Sequence, residues 1–170
     1  MQEDTDLVWL LKTYQPFFER FGMERENILS VYNEWNSDEN DTPLKYLWAI
    51  FEKLLYETYQ QVNEPLAKFR ILSLILNEMR NYKISFEGDV ANDIYKKYLF
   101  CQLKLVQLQN NPSIHVTIVA VHCCPYCNAL HGTQLPVQEA LLLQLLPPDK
   151  CTSEAGCNCF YKPEITNYYK

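Results

Sequence analysis

Glycine and positive charge are scarce in this sequence of 170 residues. It holds 4 Gly, and its 15 Lys and Arg are outnumbered by 21 Asp and Glu, which gives a net charge of -6. With 8 Phe, 12 Tyr and 3 Trp to bury, the shortage of glycine argues against a loop-rich or disordered chain, because aromatic burial offsets the entropy of ordering. The shortage of positive charge argues against a non-specific nucleic-acid binder, since phosphate contacts need clustered Lys and Arg.

Long apolar runs and a secretory signal are also missing. The most apolar stretch, VQEALLLQLL, has about half of the roughly 18 residues that a transmembrane helix requires. The first residues, MQEDTDLVWLLK, are acidic, whereas the start of a signal peptide is basic. We therefore expect a cytoplasmic protein without membrane contacts. In that reducing compartment, closely spaced cysteines are metal ligands or redox centres more often than disulfides.

Residues 1–110 are predicted to form a helical bundle. Apolar side chains recur at helical spacing between signals such as Gly22, Thr42-Pro43 and Pro65, which are typical of helix ends and starts. We find no paired inward acids, no His pair and no glycine-rich phosphate loop in these helices, so no catalytic site is predicted here. The predicted helices cover about 7–18, 28–35, 43–55, 65–79 and 89–108.

The character of the sequence changes after Asn110. The segment SIHVTIVAVH alternates and is rich in Val and Ile, which predicts a strand. A short helix is predicted after Pro136, and the remainder is predicted to be loop with at most one short strand. The predicted fold is therefore mainly α, with a helical N-terminal bundle over 1–110 followed by a small α+β module over 111–170.

Six of the seven cysteines fall between residues 123 and 159, as C-C-x2-C and, after 23 further residues, C-x5-C-x-C. Zinc takes four nitrogen or sulfur ligands in a tetrahedron, and a C-x2-C knuckle presents two thiolates on one side. Structural zinc can contribute roughly 10 to 16 kcal/mol of apparent binding energy, which would give this small module a core. We thus predict a zinc ribbon-like site whose candidate ligands are Cys124, Cys127, Cys151, Cys157 and Cys159.

The spacing identifies the first pair of ligands as Cys124 and Cys127 but leaves the second pair open. Residues 157 and 159 would project to the same side of an extended segment, whereas Cys151 would need a loop to reach the metal. Cys123 points away from its neighbour on a strand and is predicted to be a packed thiol, as is Cys101.

Eight residues of the cysteine-rich segment follow a longer pattern of C-x2-C, Leu, Gly, Leu-Pro-Pro and a closing C-x-C. This pattern is similar to the C-terminal cysteine motif of phage Mu F-like head morphogenesis proteins and of related uncharacterised bacterial proteins. Those proteins often carry His where this chain has Cys151 and Arg where it has Asn158. The resemblance implies a zinc module and, as one alternative function, a phage-derived head-morphogenesis-related role. The matching residues are Cys124, Cys127, Leu130, Gly132, Pro147, Pro148, Cys157 and Cys159.

His131 extends the first pair to C-x2-C-x3-H and could be a ligand, a proton relay or a polar residue beyond the knuckle. The same spacing resembles the reactive motif of AhpD-like alkylhydroperoxidases and carboxymuconolactone decarboxylases. In that group one thiolate attacks peroxide or disulfide, its partner resolves the product, and the histidine assists proton transfer. The resemblance implies a thiol-dependent peroxidase or oxidoreductase that uses Cys124, Cys127 and His131, although that family sets the motif at the start of a helix and here a strand is predicted to precede it.

A zinc shell of four thiolates leaves no coordination position for a reactive water. The sequence therefore favours a zinc-binding, non-enzymatic structural or protein-interaction protein. The expected partner is another protein, with neither nucleic acid nor membrane. The pathway and the oligomeric state stay open at this point.

Overall fold

A computed structural model describes residues 5–35, 42–110, 114–121, 124–154 and 156–164. In these residues the chain is mainly helical with one small antiparallel sheet, which confirms the predicted mainly α class. None of the described helices has the length and apolar composition needed to cross a membrane. The described helices are α1 Thr5–Glu19, α2 Arg25–Trp35, α3 Pro43–Gln61, α4 Pro65–Tyr82, α5 Asn92–Gln109, α6 Pro125–Leu130 and α7 Val137–Leu143. The described strands are β1 His115–Val119, β2 Gln134–Pro136 and β3 Phe160–Pro163, and a π-helical turn, Lys83–Glu87, follows α4.

The chain divides into two compact units, an N-terminal unit of residues 1–56 and a C-terminal unit of residues 57–170. Helix α5 and all three strands fall in the C-terminal unit. The division into a helical domain of residues 1–110 and a zinc module of residues 111–170 stays a prediction.

Aromatic side chains build the core of the N-terminal unit. Phe18 and Phe51 are fully buried, with ring centroids 5.2 Å apart, and Tyr14 meets Phe51 edge-on at 5.7 Å. The buried Tyr46 hydroxyl donates a hydrogen bond of 2.6 Å to the backbone oxygen of Ile28. Burial raises the pKa of Tyr46 to about 12, so this phenol stays neutral and remains a donor. The aromatic content of the sequence thus serves the packing of this unit.

Helix α4 starts where the sequence predicts, at Pro65. The Oε1 atom of the preceding Glu64 accepts a hydrogen bond of 2.9 Å from the backbone N–H of Leu66, and its other carboxylate oxygen accepts one from Ala67. Proline suits the first helical position because its missing N–H would have no partner there. The carboxylate also lies at the positive end of the helix dipole.

The sheet of the C-terminal unit has the strand order β2-β1-β3, with both neighbours antiparallel to β1. The strand predicted over 113–122 corresponds to β1, which is shorter than predicted. Burial alternates along β1, because Val116 and Ile118 are buried while His115 is exposed. Strand β2 and helix α6 were not predicted. Helix α5 packs against α7 and β3. The resulting core contains Tyr95, Leu99, Leu103, Val116, Ile118, Leu135, Val137, Ala140, Leu146 and Tyr161, together with Cys127, Cys157 and Cys159.

Replacing Glu64 by Ala should lower the free energy of unfolding by about 1 kcal/mol, because two backbone donors at the start of α4 lose their acceptor. Urea unfolding followed by circular dichroism measures the loss. Glu78→Ala, in the same helix but away from its start, is the matched control. Equal effects of the two substitutions would contradict the capping role.

Candidate metal centre

The first two cysteines of the centre belong to the start of a short helix. Cys124 is the N-cap residue of α6 and Pro125 takes the first helical position. Residues three apart on a helix lie on the same side, and the Sγ atoms of Cys124 and Cys127 are 3.6 Å apart. The C-x2-C motif is therefore the N-terminus of a helix rather than only a turn after a strand.

Cys151 reaches the same place from the loop after α7. Its Sγ atom lies 4.0 Å from that of Cys124 and 3.8 Å from that of Cys127. Thiolates bound tetrahedrally at about 2.3 Å from zinc are about 3.8 Å apart, so the three separations suit a shared ion. They exceed the disulfide length of about 2.05 Å, and all three cysteines are free.

The closing C-x-C segment joins the cluster through Cys127. The Sγ atom of Cys157 lies 3.8 Å from that of Cys127, and Cys127, Cys157 and Cys159 form a second group with sulfur atoms within 4.8 Å of one another. All three thiols are buried. Among the described residues, the five predicted ligands thus form two overlapping groups of three that could hold a metal ion. Cys123 lies outside the described residues.

The thiols differ in their preference for the charged state. The nearby backbone N–H group of Cys127, and to a lesser extent that of Thr152, lowers the pKa of Cys124 to about 6. Within the described residues, the Cys124 side chain does not reach the geometry of an N-cap hydrogen bond. Burial is the main cause that raises the pKa of Cys127, and it raises that of Cys157 to about 12. Buried thiols resist ionisation when no cation is near. A metal ion supplies that cation, because it binds the thiolate form.

Two helices of the C-terminal unit hold the closing segment. Arg80 of α4 donates hydrogen bonds through Nη2 to the backbone oxygen of Cys157 at 2.9 Å and to Oδ1 of Asn158 at 3.0 Å. The Tyr95 hydroxyl of α5 donates to the backbone oxygen of Cys159 at 2.9 Å. Sequence reasoning missed both residues, because an Arg and a Tyr on amphipathic helices carry no signal of a contact so distant along the chain.

The residue before Cys157 must be small and must adopt an unusual backbone conformation. Gly156 has φ +81°, and a Cβ atom there would lie 3.1 Å from the backbone oxygen of Val90. Cys157 is held in place as well, since its backbone N–H donates a hydrogen bond of 3.4 Å to Oδ1 of Asn92. The glycine lets the closing segment approach the start of α5 closely.

His131 stands apart from the cysteine groups. It is exposed, and its Nδ1 atom accepts a hydrogen bond of 3.1 Å from the backbone N–H of Ala120. A neutral imidazole that accepts at Nδ1 carries its proton at Nε2. His131 is the C-cap residue of α6, and its side chain joins the end of this helix to the chain that follows β1. Of the three predicted roles, this contact is the one expected of a polar residue beyond the knuckle.

Comparison of the chain with protein-family models, with curated proteins and with solved structures gave no match. The resemblances to the phage head morphogenesis motif and to the AhpD-like motif remain predictions. The function is therefore inferred from the geometry of the cysteine centre.

Gly156→Ala should lower the free energy of unfolding by about 1 to 3 kcal/mol, because alanine is strained at positive φ, and the contact with Val90 should increase the loss. Gly88→Ala is the matched control: Gly88 has φ +64°, and a Cβ atom there would meet nothing within 4 Å. Urea unfolding of the two variants compares them. Equal losses would show that the close approach at Gly156 contributes nothing.

Proposed function

We propose that the protein binds one zinc ion at the cysteine centre, that the metal is structural, and that the protein acts by contacting another protein. The observation that carries the metal site is the separation of 3.6 to 4.0 Å among the sulfur atoms of Cys124, Cys127 and Cys151. Cys157 is the candidate for the fourth thiolate, because its sulfur lies 3.8 Å from that of Cys127, the one cysteine that the two groups share.

The choice of zinc follows from the donors. Thiolates select soft or borderline metals such as zinc, and calcium and magnesium prefer oxygen. Both metal-ligand groups of the described residues consist of cysteine alone. Four of the five thiolates would complete a tetrahedron and leave no position for an activated water. A closed shell supports a structural role rather than hydrolytic catalysis.

A protein partner is supported by apolar side chains at the surface of the same unit. Leu142 is 82% exposed, and Leu143 and Tyr126 are about half exposed. The latter two line a groove of about 510 Å³ together with Pro147 and Pro148. We propose that these exposed apolar side chains, with the groove that two of them line, form the surface that contacts the partner.

Protein purified without a metal-affinity tag should contain about one zinc per chain by inductively coupled plasma mass spectrometry. Cys127→Ser should lose the zinc and unfold the cysteine-rich segment, because Cys127 belongs to both ligand groups, and a chelator should do the same to the unaltered protein. Cys101→Ser is the control, since Cys101 is a buried cysteine of α5 outside both groups. A folded, metal-free protein would contradict the proposal.

A thiol-dependent peroxidase or oxidoreductase is the second candidate. It is favoured by the position of Cys124 at the start of α6, 3.6 Å from Cys127, since that family sets its reactive pair at the start of a helix. The peroxidase alternative does not explain why Cys151 and Cys157 pack against Cys127. The phage-derived head-morphogenesis role is supported by the motif resemblance alone.

Cys124→Ser separates the two candidates. Under the zinc proposal the variant loses metal affinity and its melting temperature falls, because one ligand is removed. Under the peroxidase alternative the fold and melting temperature are retained, and turnover of hydrogen peroxide with a dithiol reductant is lost. Circular dichroism melting and a peroxide-consumption assay on the same samples distinguish these outcomes.

A further inference from the structure

We propose that Arg80 is the counter-ion of an anionic metal–thiolate centre and positions the segment that closes it. This inference rests on the proposed zinc site and adds to it a statement about charge. It assigns to α4 a residue on which the affinity for the metal depends.

Arg80 carries a positive charge that calls for a negative partner. A guanidinium is always protonated, and Arg80 is partly buried. Its Nε atom is shielded from solvent and has no hydrogen-bond partner in the part of the chain that the structure describes. Among the described residues, Arg80 forms no ion pair with a carboxylate. Withdrawing a cation from water is costly unless negative charge lies near. Some group other than a carboxylate should therefore supply that charge.

The proposed metal centre would supply that negative charge. A divalent zinc with four thiolates carries a net charge of about -2. Arg80 donates to the backbone oxygen of Cys157 and to the side chain of Asn158, and so lies beside the segment that carries the two closing thiols. The guanidinium and the anionic centre would thus be neighbours, and each would reduce the cost of burying the other.

Tyr95 holds the guanidinium of Arg80 beside the closing segment. Its Cζ atom lies 4.0 Å from the centroid of the Tyr95 ring, and the hydroxyl of that same tyrosine donates to the backbone oxygen of Cys159. One side chain therefore stacks on Arg80 and also fixes the last cysteine. Groups that orient metal ligands in this way typically change metal affinity by about 10- to 100-fold when they are replaced.

The test measures zinc affinity by competition with a chromophoric chelator. Arg80→Gln should weaken binding by about tenfold or more, and Arg80→Lys, which keeps the charge, should restore most of the affinity. Arg70→Gln is the matched control, because Arg70 is an exposed arginine of the same helix, and it should bind zinc like the unaltered protein.

Cobalt substitution gives a readout that stability alone would not move. Removal of a nearby cation makes the thiolates better electron donors, so the sulfur-to-cobalt charge-transfer band of Arg80→Gln should move to longer wavelength. The bands of Arg80→Lys and Arg70→Gln should stay in place. An Arg80→Gln variant with the affinity and band of Arg70→Gln would overturn the inference.

The remaining outcomes are also decisive. If Arg80→Gln does not fold, the lysine variant carries the test. A folded Arg80→Lys protein with nearly the zinc affinity of the unaltered protein supports the inference, and a lysine variant that fails to fold or binds zinc about tenfold more weakly overturns it. If the unaltered protein binds no zinc, the proposed function itself fails. If it binds zinc and only the Arg80 effects are absent, the zinc site stands and this inference alone is lost.

Discussion

The contact between Cys127 and Cys157 is the constraint on which the cysteine-rich segment depends. Their sulfur atoms are 3.8 Å apart although 30 residues separate them in sequence, and both are buried. They share a core with β1, where Val116 and Ile118 are fully buried. Clustered thiols in such a core gain little from hydrogen bonds to each other, whereas a metal ion would turn them into strong ligands.

The centre draws on residues that precede it by a long stretch of chain. Arg80 and Tyr95 lie on α4 and α5, and they hold the backbone of the closing segment 77 and 64 residues later. Gly156 lets that segment approach Val90. Metal binding and the packing of these helices are therefore expected to stabilise one another, in the way that ligands stabilise the state that binds them.

The sequence allowed prediction of those features that local signals determine. Pro65 marked the start of α4, and the alternation of Val116 and Ile118 marked β1. Helix α6 was missed because six residues that contain one cysteine and a proline have too little periodicity to be recognised. The five cysteines could be grouped from their spacing, but Arg80 could not be placed beside them, since its contacts depend on how α4 packs in the folded chain. The sequence shows a glycine at 156, and only the structure shows what approaches it.

X-ray absorption at the zinc edge reports the identity and distance of the metal ligands in solution. A zinc ion held by four of the cysteines should give a single shell of four sulfur atoms at about 2.3 Å. A shell that contains nitrogen or oxygen at about 2.0 to 2.1 Å would contradict the four-thiolate centre. Absence of zinc from the purified protein would contradict the metal site as a whole.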